Sequence, residues 1–418
     1  MKKVLLATLL IVAIQRMSIA QAPYTVTVTV LDSQRLPALH SFCHAIYQGK
    51  LLVFGGRTNG FHRTSDKEST FPTQYSNDSF YVIDLSGLKV WQAAVPQAFL
   101  PALRTTNMQS YQDGNTLYCN GGYGSTCDQD SASCYQTFPN LTALNVPNII
   151  NSIISNQTVS PSDIVTITDE RMRVTGGTLE KIGNYFYLAF GHNFNTIYKG
   201  GITGIYTEQI RKFQISFDGK NLAITNYQVV STPLLYQGLS QFHRRDLNTV
   251  PSVMTDNTIG LTALGGVFTK TAGPFPNPIS ISQSSAGATS FQVDTVFQQN
   301  LCLYECAKVL MYDPVAKNMY TSLLGGITNY YYDQNNQLVP SNLQNFMPFF
   351  NHVSTIARDG SGNFYEYPQL APALPGYIGS NAIFIPAPVI SLYGGTDRII
   401  DYSKLPAGNT LVGWMYGG

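Results

Sequence analysis

The sequence predicts an all-β propeller, a ring of six four-stranded blades, and three observations carry that expectation. A glycine pair closes a short apolar run five times, at Gly55-Gly56, Gly121-Gly122, Gly265-Gly266, Gly325-Gly326 and Gly417-Gly418. A tight-turn signal precedes four of these runs, at Gln48-Gly49, Asp113-Gly114, Asp256-Asn257 and Asp313-Pro314. Charged residues make up only 12% of the chain, about half the usual share of ~25%. Tyrosine, phenylalanine and asparagine are abundant in their place, a balance that suits strands joined by neutral polar loops.

The repeat sets the number of units. The first glycines of successive pairs are 66, 144 and 60 residues apart up to Gly325, and the middle interval holds a degenerate copy that ends in Gly191-His192. Four units over 270 residues give a period of 67.5, so the 398 residues after Ala20 hold about 5.9 of them. In the first unit Ser41 to Tyr47 and Lys50 to Phe54 form a hairpin. A long loop follows, then Ser79 to Leu85, a turn at Ser86-Gly87, and a last strand ending at Trp91. The second unit starts at Arg104 and turns at Asp113-Gly114-Asn115. The third starts at Arg173, turns at Gly183-Asn184, and has an outer hairpin around Asp218-Gly219. The fourth turns at Asp256-Asn257. The fifth pairs Val309 to Tyr312 with Met319 to Leu324, and its outer hairpin turns at Asp359-Gly360. The sixth is the least regular, because Gly394-Gly395 offers a second register and Gly417-Gly418 leaves no residues for two further strands. Tyr24 to Leu31 alternates polar and apolar residues like an edge strand. That segment is expected to close the ring by completing the last blade, since an unpaired edge invites aggregation.

Gly55-Gly56, Tyr81 in the third strand, Asp84 before the turn and Trp91 in the fourth strand together resemble a kelch-type propeller blade. The resemblance covers nearly all of the chain after residue 20. The later blades depart from it, because the fourth-strand tryptophan is missing and Trp414 lies elsewhere. It therefore implies a fold and carries no activity with it.

Residues 1–20 read as a secretory signal: Lys2 and Lys3, an apolar stretch from Val4 to Ile14, and the small residues Ser18 and Ala20. The expected mature chain, residues 21–418, is a single propeller domain, secreted, periplasmic or on the cell surface. The apolar stretch is shorter than the roughly 20 residues a bilayer crossing needs, so no membrane span is expected. Without Lys2, Lys3 and Arg16, 22 of the 25 basic residues remain against 24 acidic ones, a formal charge of −2. That balance excludes bulk attraction to nucleic acid. Six cysteines in an exported chain allow disulfides. Cys127 and Cys134 flank a polar loop, where they either form a local bridge or stay reduced. Cys302 and Cys306 pair only if their segment turns, since four residues of strand separate them by about 13 Å. Cys43 and Cys119 lie in apolar runs and read as buried thiols.

In a propeller the loops after the glycine pairs gather on one face beside the starts of the inner strands. These loops carry Phe61, His62, Tyr75, Tyr123, Tyr135, Asn193, Asn195, Tyr198 and Tyr330 to Tyr332. Tyr123, Tyr198 and Tyr331 are candidates to hold a ligand, because a tyrosine offers an apolar face and a polar tip. Alignment on the tight turns places His40, Arg104, Arg173 and Arg245 at the starts of inner strands. Several guanidiniums there favour a carboxylate or phosphate. No cofactor and no metal site is expected: His40 and His44 are too far apart on a strand to share an ion, and zinc-type ligand spacing is absent. His192 and His352 give no basis for a copper centre of the galactose-oxidase kind.

The leading expectation is a binding module that recognises a glycan or a peptide with its long-loop face. An alternative is an enzyme similar to the periplasmic kelch-type sialate mutarotases, with His192, Glu208 or Glu305 moving the ring-opening proton. A third possibility is a passive structural spacer within a larger surface assembly, contacting a protein partner. No set of catalytic residues can be singled out from the sequence.

Overall fold

The architecture is that of a computed structural model, in which residues 22–31, 36–61, 70–199, 204–332, 335, 337–340 and 349–418 are described. The expected signal segment and His62 lie outside them. Five antiparallel blades of four main strands are arranged around an axis. Blade 1 comprises Cys43–Tyr47, Lys50–Phe54, Ser79–Asp84 and Val90–Ala94, and blade 2 comprises Thr106–Asp113, Thr116–Ser125, Asn140–Asn145 and Ile164–Thr168. Blade 3 runs through Thr178–Ile182, Tyr185–Ala189, Ile210–Phe217 and Leu222–Val230. Blade 4 is Asn248–Val253, Ile259–Leu264, Ile279–Gln283 and Thr289–Val293. Blade 5 is Ala307–Asp313, Asn318–Leu324, Val353–Arg358 and Phe364–Pro368.

The glycine pairs are the junctions between blades. The second glycine of each of the first four pairs donates its N–H to a carbonyl at the entry of the next unit: Gly56 to Thr105, Gly122 to Val174, Gly266 to Leu303 and Gly326 to Ile378, at 2.8–3.1 Å. Gly191 does the same to Arg244 at 2.8 Å. Both residues of the second pair have positive φ, +65° at Gly121 and +81° at Gly122. A Cβ on Gly121 would lie 1.8 Å from the Val174 carbonyl oxygen. Only glycine meets both demands, which is why the pair recurs with the period of the fold.

Apolar residues of facing sheets fill the space between blades, as expected for alternating strands. Between blades 1 and 2 the core holds Leu52, Phe54, Phe80, Leu117 and Leu144. It also takes one face of the helix Val146–Ile154, which supplies Ile149, Ile150 and Ile153. Sequence analysis did not anticipate this helix, although its start is marked: Asn145 caps it by accepting from Asn148 N at 3.1 Å, and Pro147 sits in its first turn.

The expectation of six four-stranded blades is corrected to five. The sixth period forms a two-stranded ribbon, Ile383–Pro386 with Gly413–Tyr416, lodged between blades 5 and 1. Ile383, Ile385, Trp414 and Tyr416 pack on Leu39, Phe42 and Val53 of the blade 1 unit. Phe384 and Met415 pack on the blade 5 side. The residues that would have made outer strands are spent differently. Between Pro386 and Gly413 the chain turns into the channel, where Ile399–Asp401 runs parallel to the inner strand of blade 5. Ile399 and Ile400 are fully buried there.

The N-terminal segment does not add a strand to the ribbon, as the sequence led us to expect. Tyr24, Val26 and Val28 lie against the blade 5 core. The Gln369 side chain takes the place of a partner strand: its Oε1 accepts from Val26 N at 2.9 Å and its Nε2 donates to Val26 O at 2.8 Å. One side-chain amide thus satisfies both backbone groups of the residue.

Cys127 and Cys134 are bridged, with Cα atoms 5.7 Å apart. Cys43, Cys119, Cys302 and Cys306 are buried thiols. The segment of the last two does turn, with Cys302 at φ +50°.

Candidate functional site

Where the inner strands begin, successive units are linked by a ring of backbone hydrogen bonds around the axis. Asn107 N donates to Ser41 O (3.2 Å), Gly176 N to Asn107 O (3.3 Å) and Asp246 N to Gly176 O (2.7 Å). Glu305 N donates to Asp246 O (3.0 Å), Asn381 N to Glu305 O (2.9 Å), and Asn381 Nδ2 closes the circle on Ser41 Oγ. Ser41, Asn107, Gly176, Asp246 and Asn381 all have φ between +51° and +64°. Four of these five are Ser, Asn or Asp, and Asn and Asp accept that conformation more readily than other side-chain-bearing residues. The ring forms a diaphragm across the channel. Asn107, Gly176 and Asn381 line both the depression on the long-loop side and the cavity on the other.

Two of the residues that follow a glycine pair, Arg57 and Tyr123, face the long-loop mouth, as does His192 after the single glycine. Each pairs with the start of its own inner strand, Arg57 with His40, Tyr123 with Thr106 and His192 with Thr175. Tyr198, Arg245, Asp246 and Tyr304 complete the mouth, and its enclosed floor has room for about 30 Å³, the share of one water molecule.

Two arginines at this mouth differ in how their charge is balanced. Arg245 is surrounded by oxygen: Nη1 is ion-paired with Asp246, Nε donates to Tyr206 Oη and Nη2 to Tyr198 Oη, both at 3.2 Å. Burial disfavours its charge, but Tyr198, Asp246 and Tyr206 outweigh burial and hold its pKa well above the ordinary value. Arg57 is 4% exposed. Its Nε donates to Gly60 O at 2.6 Å, Nη2 to His40 Nδ1 at 3.1 Å, and the guanidinium lies 4.6 Å from the Phe71 ring centre. Its Nη1 is buried without a hydrogen-bond partner among the described residues. Burial pushes the Arg57 pKa down to about 10, with only distant help from Tyr304 and Asp246. Sequence analysis did not single out Arg57 as a site residue, although its place directly after the first glycine pair was a usable signal.

His40, Arg104, Arg173 and Arg245 do not share one environment. His40 and Arg245 occupy equivalent positions one residue before the diaphragm, but His40 lies behind Arg57, in contact with it and with Ser41 Oγ (2.8 Å). Arg104 and Arg173 follow short helical turns, Leu100–Leu103 and Glu170–Met172, which carry their side chains outward. Arg104 bonds Asp128 at 2.8 Å, and Arg173 bonds Glu170 at 2.7 Å and Thr137 O at 2.6 Å. Neither lines the mouth. Alignment on tight turns placed all four in register because it could not detect these turns.

Tyr123 and Tyr198 lie at the mouth inside an aromatic cluster with Phe71, Tyr135 and Phe194. Tyr123 Oη donates to Thr196 O at 2.6 Å and accepts from Tyr198 N at 2.8 Å, so this ring braces the loop. Tyr331 is 44% exposed in the hairpin Tyr330–Tyr332 with Leu338–Pro340, away from the mouth.

The three residues proposed for proton transfer are dispersed. His192 lines the mouth, where its Nδ1 lies 3.1 Å from Thr175 O and burial beside Arg245 keeps it neutral. Glu208 pairs with His243 Nδ1 at 2.5 Å, and His243 stacks on Tyr206 at 3.7 Å. Glu305 lies beyond the diaphragm, where burial raises its pKa although Lys308 works against the rise.

His44 also faces the lower cavity. Burial, with Arg398 and Lys308 nearby, pushes its pKa from 6.5 down to about 4. The unfolded chain therefore binds a proton below pH 6.5 that the fold refuses until about pH 4. Stability should fall as pH drops through that window, by up to about 1.4 kcal/mol per pH unit from this one group. His44→Gln should flatten the decline in urea midpoints across that range; an unchanged slope would assign it to other groups such as His192.

No family model matches the chain, and no curated protein matches it. Among solved structures it is similar to one titled "Structure of YjhT", with 11% identity over 84% of this chain and 88% of that one, at a TM-score of 0.49. At that identity and score the likeness adds nothing to the propeller already evident in the sheets.

Proposed function

We propose that the chain is a ligand-binding propeller acting outside the cytosol, and that its long-loop mouth takes the carboxylate of a small acidic sugar. The observation that carries this reading is Arg57, a buried guanidinium with no carboxylate partner and one free N–H among the described residues. A buried cation is costly unless paired, and an incoming carboxylate would supply the pairing that Asp246 gives Arg245. Above the floor, the partly exposed Tyr198 ring is an aromatic group on which a sugar ring can pack. The Cys127–Cys134 bridge supports an oxidising compartment.

The test is titration calorimetry with glucuronate, N-acetylneuraminate and glucose. The acidic sugars are expected to bind and glucose is not. Arg57→Ala should remove a charged hydrogen bond of about 1.5–3 kcal/mol, weakening acidic-sugar binding at least tenfold. Arg173→Ala, away from the mouth, should leave it unchanged. Acidic-sugar binding that survives Arg57→Ala, or that equals glucose binding, would overturn the reading.

A further inference from the structure

Beyond the diaphragm the channel widens into a partly open cavity of about 170 Å³. That is much larger than the voids of a well-packed interior and holds about five or six water volumes. Four charged groups on its wall cancel in pairs. Lys308 Nζ lies 3.7 Å from Glu305, and Arg398 from the channel-entering segment forms a bidentate pair with Glu180 of blade 3. Arg398 also covers the Tyr111 ring at 5.7 Å. His44, held neutral at neutral pH, adds no charge.

Several polar groups of the wall remain unsatisfied. Thr249 Oγ1 and Asn381 Oδ1 are buried without hydrogen-bond partners among the described residues, on side chains of residues 4% and 8% exposed. Buried polar atoms left unpaired in a roomy polar cavity call for a guest that supplies both donors and acceptors. The lining also includes the apolar side chains Phe42 and Phe384.

We propose that this cavity is a second binding site, separate from the mouth, for a small neutral polyol of about eight non-hydrogen atoms. An ion entering would find every wall charge already matched and would lose its hydration without gaining a partner. A polyol pairs its hydroxyls with Thr249 Oγ1, Asn381 Oδ1 and the outer edges of the two ion pairs. Its C–H groups lie against Phe42 and Phe384.

The experiment is titration of the full chain with erythritol, with glycine and glycolate as charged probes of smaller size. Saturable binding of one erythritol, tighter than either charged probe, is the expected result. Thr249→Val keeps the side-chain shape and removes a hydroxyl that makes no bond in the fold, so folding should persist. Erythritol binding should then weaken at least fivefold. Glu305→Gln gives a second variant should the first be unstable, and it should also weaken binding. Arg57→Ala should leave erythritol binding intact, which separates this site from the mouth. Absence of saturable binding, the cavity holding water only, would overturn the proposal. So would binding that Arg57→Ala abolishes or that both cavity variants leave unchanged.

Discussion

Gly121→Ala is expected to destabilise the propeller by more than about 4 kcal/mol, a size reserved for backbone collisions and comparable faults. Two effects add. An alanine at φ +65° costs about 1–2 kcal/mol by itself. The larger part is steric, because its Cβ would sit 1.8 Å from Val174 O and 3.1 Å from Met172 O, both backbone atoms of the next unit's entry. Neither can rotate away, so blade 3 must shift from blade 2 and strain the adjoining Gly122 N to Val174 O bond. Gly114→Ala is the control. It has a similar φ of +59° but nothing within 4 Å of its Cβ, and should cost only the conformational part, about 1–2 kcal/mol. Urea midpoints of the two variants measure the difference. Equal losses would mean that conformation alone, and not the junction, makes the pair necessary.

Arg244→Met comes next, at about 3–5 kcal/mol. Arg244 is fully buried, with its pKa pushed down to about 9 by desolvation. Its guanidinium donates to Gln241 O at 2.7 Å, Gly265 O at 3.0 Å and Gln241 Oε1 at 2.6 Å, and lies 5.0 Å from the Phe275 ring centre. Methionine fills part of the volume but leaves three acceptors dry, each worth about 1–3 kcal/mol when unpaired. Two of those acceptors fix the entry and second strand of blade 4. Arg171→Met, which breaks a partly exposed pair with Asp169 and a contact 4.6 Å above the Tyr227 ring, should cost about 1 kcal/mol. Thermal unfolding of both variants decides it, and a loss at Arg244 no larger than at Arg171 would show that the carbonyls find water.

The channel residues show why the site was harder to see than the scaffold. Arg244 and Arg245 are adjacent in sequence, yet one stitches a blade and the other faces the mouth. Arg104 and Arg173 look like equivalents of Arg245 until the short helical turns before them are taken into account. A turn of that kind rotates a side chain without altering the spacing that a repeat analysis reads. Arg57 was passed over for a related reason: its significance lies in being buried without a carboxylate, a property of its surroundings.

The sequence by itself determined the propeller, the position of each blade junction and the face on which the long loops collect. All three follow from local rules: glycine where φ is positive, alternation where a sheet is buried, turn residues where strands reverse. Only the tertiary structure decided that the sixth period becomes a two-stranded ribbon, that residues 387–412 turn into the channel, and that Gln369 takes the place of a partner strand for Val26. Those outcomes depend on which surfaces compete to cover the gap between blades 5 and 1. That competition is between residues hundreds of positions apart, as Arg398 with Glu180 and Tyr24 with Ser322 show, and no local pattern encodes it.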